Sequence, residues 1–162
     1  SARFSRPKLV IKGLNLLDAA LDLEGELLST VATLNLRASS VNILKILAAI
    51  LNSKIIFGYL KEKYRSGTYN GALRFTPDML LRLPVPDLNR IRFDPVIALV
   101  DGLVSGTPGA ESRMKLLELY IARIYGLGCD GDVSDMKADD LEIYNQGDGN
   151  PDIYFDEGEA SP

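Results

Sequence analysis

The stretch Ser40–Pro86, SVNILKILAAILNSKIIFGYLKEKYRSGTYNGALRFTPDMLLRLPVP, decides how this chain folds. Val41, Leu44, Ala48, Leu51 and Ile55 recur at steps of three and four, the spacing of one helical face. Ile43, Ile46, Leu47 and Ile50 fill much of the remaining circumference, so the helix is apolar nearly all round and is expected at the centre of the fold. Ser39 or Ser40 can cap its start. Asn52-Ser53 breaks the run, and a second, basic helix is expected from Lys54 to about Tyr64. A turn-rich loop, Arg65 to Gly71, comes next. It is followed by Ala72-Leu-Arg-Phe75, an apolar segment from Asp78 to Leu83, and the stop Pro84-Val-Pro86.

Upstream, Leu9-Val-Ile-Lys-Gly-Leu14 reads as a strand entering the core, and Arg3 and Arg6 ahead of it as a solvated linker. Ala19–Asp22 and Glu26–Leu36 read as a hairpin closed around Leu23-Glu24-Gly25. In its second strand Leu28, Thr30, Ala32, Leu34 and Leu36 alternate with more polar neighbours, the period of a half-solvated antiparallel sheet. Downstream, Pro95 opens a helix running to Val104. Glu111 to Tyr125 is an amphipathic helix striped by Met114, Leu117, Tyr120, Ile121 and Ile124, which Gly126 or Gly128 can end. The expected class is α+β: a small antiparallel or mixed sheet, a buried central helix and a C-terminal helical subdomain. Residues 1–92 form the core, 93–128 a helix pair packed on it, and 129–162 an acidic tail.

At 162 residues and 46% hydrophobic the chain can bury one core. It starts at Ser1 without an initiator Met and is expected to be a fragment or a processed product. No apolar run approaches the roughly 20 residues of a membrane helix, no secretory leader is visible, and the single cysteine, Cys129, suits a reducing cytoplasm. There is no histidine, which removes Ser-His-Asp and Cys-His nucleophile systems and the usual zinc sites. The net charge of −4 is unevenly spread: residues 129–162 carry eleven acids against Lys137 alone, and the rest of the chain is net basic. A basic body with an acidic tail points toward nucleic-acid contact.

One order of parts is more specific. An apolar helix ending in Leu51-Asn52-Ser53-Lys54 leads into a basic helix, a glycine-bearing loop ending in Arg74-Phe75, and Leu83-Pro84-Val85-Pro86. From roughly Lys8 to Asp87 this resembles the TaqI-like C-terminal specificity domain, the target-recognition part of DNA adenine methyltransferases and fused restriction-modification enzymes. The resemblance implies a reader of double-stranded DNA that presents an adenine to a methyltransferase domain, with S-adenosylmethionine bound by that other domain and no cofactor in this chain. Neither a glycine-rich strand-to-helix loop for that cofactor nor a complete Asn-Pro-Pro-Tyr is present. In Asn150-Pro-Asp-Ile153, Asp152 and Ile153 replace the second Pro and the aromatic. The chain alone is therefore expected not to be an enzyme.

Arg65, Tyr69, Asn70 and Arg74 are the candidates for base contacts. Arg can address guanine O6 and N7, Asn can address adenine N6 and N7, and Tyr can stack. Lys54, Lys61 and Lys63 are the candidates for phosphate. Each has a plain alternative: a solvated helix face for the lysines, a surface turn for the loop, and a structural ion pair for Arg74. The tail from Asp148 to Glu159 has EF-hand-like spacing, but Ile153 stands where glycine is needed, so no metal is expected. The tail can instead lie over the basic body, and Asp152–Phe155 is apolar enough to dock as a strand. A non-catalytic protein-interaction module is the alternative function.

Overall fold

The computed structural model describes residues 6–12, 17–30, 32–65, 73–86, 93–127 and, as backbone, 153–155. In chain order the elements are β1 (Lys8–Lys12), β2 (Asp18–Asp22), β3 (Thr33–Ala38), α1 (Val41–Leu51), α2 (Lys54–Lys63), α3 (Pro77–Leu81), α4 (Asp94–Val104), α5 (Ala110–Ile124) and β4 (Ile153–Phe155). The sheet runs β2-β1-β3-β4, with each neighbouring pair antiparallel, so the fold is α+β.

The chain folds around α1. Leu44, Ile46, Leu47, Ala48, Ala49, Ile50 and Leu51 are all buried, and α1 lies against β1, β2, β3, α2, α4 and α5. Each fully buried Leu or Ile is worth roughly 1.5–3 kcal/mol relative to exposure. Ser40 starts the helix by accepting the Ile43 amide at its hydroxyl, 3.2 Å away. Lys45, the one charge on the helix, is partly buried and has its charge met by Asp101 on α4 at 2.6 Å. Between α1 and α2 the chain bends by 65°. Among the described residues no single helix is long and apolar enough to cross a membrane.

That bend carries a second task. The Asn52 amide accepts from the Ala19 N–H at 2.9 Å and donates to the Ala19 carbonyl at 2.8 Å. It supplies both bonds that a neighbouring strand would give to Ala19, on the outer side of β2. Ser53, buried, caps α2 by accepting from the Ile56 amide and ties back to the Ile50 carbonyl at 2.6 Å.

The hairpin expected between 19–22 and 26–36 does not form. β2 pairs with β1, Lys8 opposite Asp22 and Lys12 opposite Asp18, and β3 lies on the far side of β1. The turn at Gly25 is real, with φ 74°. However, the Asp22 carboxylate takes the amides of Gly25, Glu26 and Leu27 at 2.8, 3.1 and 3.0 Å, so residues 26–30 leave the sheet. They are held over it by Lys8, whose ammonium donates to the Leu27 carbonyl at 2.8 Å, and by Asn35, which donates to the Ser29 hydroxyl. Leu28, expected on an apolar strand face, is 84% exposed.

Lys8 and Asp22 are themselves buried, with Nζ and Oδ2 3.5 Å apart. Burial pushes the Asp22 carboxyl upward, but the three amides and the Lys8 ammonium outweigh it and hold its pKa below the ordinary 3.8.

Downstream, Phe93, Val96 and Val100 of the α4 region and Leu117, Ile121 and Tyr125 of the α5 region join the α1 core. Met114, expected in the α5 stripe, is 60% exposed. Gly126, at φ 71°, ends α5: its amide reaches the Arg123 carbonyl and the Leu127 amide that of Ala122. In the tail, Ile153–Phe155 docks as β4 on β3. Leu14 and the remainder of the EF-hand-like spacing lie outside the described residues.

Two outcomes follow from these polar anchors. Replacing Asp22 by Asn leaves Lys8 buried without its counter-charge and is expected to cost about 3–5 kcal/mol in urea unfolding at neutral pH. Because the folded pKa is lowered, the Asp22 contribution is complete above the unfolded value of about 4 and fades as pH falls through the folded one. The urea midpoint of the unaltered chain should therefore drop in that acidic window, and that of Asp22→Asn should drop less. Asn52→Ala strips both partners from Ala19 and is expected to cost about 1–3 kcal/mol by the same measurement.

Candidate nucleic-acid interface

α2 has one face in the core and one in solvent. Ile55, Ile56, Tyr59 and Leu60 are buried, and Lys54, Lys61 and Glu62 are exposed. Seven residues is close to two helical turns, so Lys54 and Lys61 stand on the same solvent-facing side. The start of α2 is held by α5: the Glu118 carboxylate accepts the Lys54 amide at 3.0 and 3.3 Å, placing a negative charge at a helix N-terminus. The Lys54 backbone is thus anchored while its side chain stays free to reach outward.

Lys61 lies over the Phe57 ring at 5.4 Å, and Phe57 packs on Phe75 with ring centroids 6.2 Å apart. This aromatic contact fastens α2 to the returning limb Leu73-Arg74-Phe75. Leu73 and Phe75 are buried, and Arg74 between them is exposed, as alternation along an extended segment requires. Arg65, just past α2, is also exposed and pairs with Glu62 at 2.8 Å, a surface ion pair of small energetic weight. Arg65 and Arg74 therefore bracket residues 66–72. Tyr69 and Asn70 lie within that interval and outside the described residues.

Lys63 does not join Lys54 and Lys61. Nine residues on from Lys54 it falls on the opposite side of α2, where its ammonium lies 5.6 Å from the Tyr59 ring and 5.7 Å from the Tyr64 ring. It also donates to the Tyr59 hydroxyl at 3.3 Å. Lys63 is nonetheless exposed, as Lys54 and Lys61 are.

The Leu83-Pro-Val-Pro86 segment has a structural anchor. The Tyr125 hydroxyl, at the end of α5, donates to the Pro84 carbonyl at 2.7 Å. Burial, with Tyr59 nearby, pushes the Tyr125 phenol far above its ordinary pKa, so it stays a neutral donor. Sequence reasoning missed this tyrosine, and also Asn52 and Glu118, because each acts on a partner far along the chain. A polar residue closing or interrupting an apolar stripe was their only local signal.

Among the described residues no group of three or more His, Cys, Asp or Glu is arranged to hold a metal. The arrangement offers instead two lysines on one helix face and two arginines on either side of residues 66–72, a set suited to anionic or hydrogen-bond-accepting groups. Compared with known families and curated proteins, the chain matches no family model and no curated protein.

Ring contacts separate the three exposed lysines. Lys54→Ala is expected to change unfolding free energy by less than about 0.5 kcal/mol. Lys61→Ala and Lys63→Ala should each cost about 0.5–1 kcal/mol through their lost ring contacts. Tyr125→Phe should cost about 1 kcal/mol by leaving the Pro84 carbonyl without its donor. Urea unfolding monitored by circular dichroism distinguishes the three groups.

Proposed function

We propose that this chain is a DNA target-recognition module of a restriction-modification enzyme, which positions duplex DNA for adenine-N6 methylation by a catalytic domain that this sequence does not contain. The observation that carries the reading is the pairing of Lys54 and Lys61 on one exposed face of α2 with the exposed Arg65 and Arg74 on either side of residues 66–72. Such a surface can track phosphates with its lysines and bring arginines and the intervening Tyr69 and Asn70 to base edges. The order of parts from Lys8 to Asp87, which resembles TaqI-like specificity domains, supports the same reading.

In this role the chain does no bond chemistry. It contributes binding energy that offsets the few kcal/mol needed to unstack an adenine, and the cofactor S-adenosylmethionine belongs to the partner methyltransferase domain. The same parent protein could also cleave DNA. A cytoplasmic location, where duplex DNA and the methyl donor can meet, accords with the role.

A second reading is a protein-interaction module. It is favoured by the exposed apolar side chains of α5, Met114, Leu116 and Leu119, with Val104 at the end of α4.

Binding of the whole chain to a random-sequence duplex over a salt series separates the two. A DNA reader loses affinity linearly in log salt, and Lys54→Ala/Lys61→Ala should lower the slope by about two. Arg74→Ala should weaken selection of a preferred sequence by about 1–3 kcal/mol while leaving the slope nearly unchanged. Absent or salt-independent binding removes the DNA reading and leaves the interaction module.

A further inference from the structure

The solvent face of α2 has a gap in its row of side chains. Gly58 stands four residues after Lys54 and three before Lys61, so the three project onto one side of the helix, within about 60° of one another. The buried Ile55, Ile56, Tyr59 and Leu60 mark the other side. Gly58 is half-buried, and Lys54, Lys61 and Glu62 around it are exposed. Gly58 is neither a turn nor a cap, since it lies in the middle of Lys54–Lys63. A glycine there weakens the helix relative to alanine, because it loses more backbone freedom on folding.

Charge is arranged around this gap. Helical side chains lean toward the N-terminus, so Lys61 reaches back over the turn that holds Phe57 and Gly58. Its ammonium lies 5.4 Å from the Phe57 ring, and Phe57 is packed on Phe75. Glu62, the one acid of α2, is four residues past Gly58, but its carboxylate is paired with Arg65 further along the chain. The usual anion site of a helix, its N-terminus, is filled: Glu118 takes the Lys54 amide, and the Ser53 hydroxyl takes the Ile56 amide. An anion approaching α2 therefore meets its side and not its start.

We propose that Gly58 is the floor of a phosphate seat, where one phosphodiester of the DNA backbone crosses α2 between Lys54 and Lys61 and lies against the helix. The seat presupposes the DNA-recognition role and fixes where the strand comes closest to the fold. With no Cβ at position 58, a phosphate oxygen can approach the helix surface itself. There it is met by the Lys61 ammonium, already held over the same turn, with Lys54 one turn before it. The Phe57 ring keeps Lys61 in place, so less side-chain freedom is lost on binding. Residue 58 thus acts on affinity without carrying a charge.

Urea unfolding and duplex binding of the whole chain, measured for Gly58→Ala and Gly58→Leu, test the seat. Gly58→Ala is expected to raise the urea midpoint, since alanine is the better helix former, and to weaken binding to a random-sequence duplex about threefold. Gly58→Leu fills the seat and should weaken binding about tenfold or more. Stability gained while affinity is lost separates a ligand seat from a packing position, where both fall together. An alanine variant with a lower urea midpoint makes Gly58 a packing residue and overturns the proposal. So does a leucine variant that binds as tightly as the unaltered chain; if that chain still binds with a salt dependence, DNA recognition stands and only the seat falls. Absence of duplex binding by the unaltered chain removes the DNA reading and the seat with it.

Discussion

A helix with almost no polar face cannot rest on a surface, and α1 imposes that constraint on everything around it. Its buried Leu, Ile and Ala side chains need neighbours on every side, and the three strands, α2, α4 and α5 are the neighbours it acquires. The sheet packs on α1 through Leu9, Ile11 and Leu36, and the helices through Ile56, Leu60, Val96, Val100 and Ile121. One apolar helix thus converts a sheet and a helix pair, neither of which has enough core alone, into one contiguous interior.

Charge is fitted around that interior. The charge of Lys45 is met by a partner on α4. Lys8 and Asp22 remain buried, but Asp22 is saturated by three amides and Lys8 by a carbonyl, so neither is left as an isolated ion. The same carboxylate that neutralises Lys8 also redirects the chain away from a hairpin, linking an electrostatic requirement to the topology of the sheet. At the opposite end of the core, the neutral Tyr125 hydroxyl holds the proline-rich limb that follows α3. Polar side chains here act mainly as long-range fasteners.

The candidate interface inherits its geometry from these fasteners. α2 can display Lys54 and Lys61 because Asn52 and Ser53 set its start and Glu118 holds its first amide. Arg74 faces outward because Leu73 and Phe75 on either side are drawn inward, Phe75 toward Phe57. The residues offered to a ligand thus stand on supports made of residues that never touch one.

The sequence by itself determined what acts over a few residues. Apolar periodicity marked α1 and α5, the break at Asn52-Ser53 marked where α2 begins, Ser40 marked the start of α1, Pro95 the first turn of α4 and Gly126 the end of α5. The shared face of Lys54 and Lys61 was likewise legible, since a seven-residue spacing needs no tertiary information. Only the tertiary structure decided which strands pair, because a strand edge does not encode its neighbour and Asp22 captured the amides that a hairpin would have used. It also decided that Lys63 covers tyrosine rings and that Asn52 completes an edge strand 33 residues away. Backbone periodicity is local and survives in the sequence; a distant hydrogen-bond partner is chosen by three-dimensional proximity, which the residues around it do not specify.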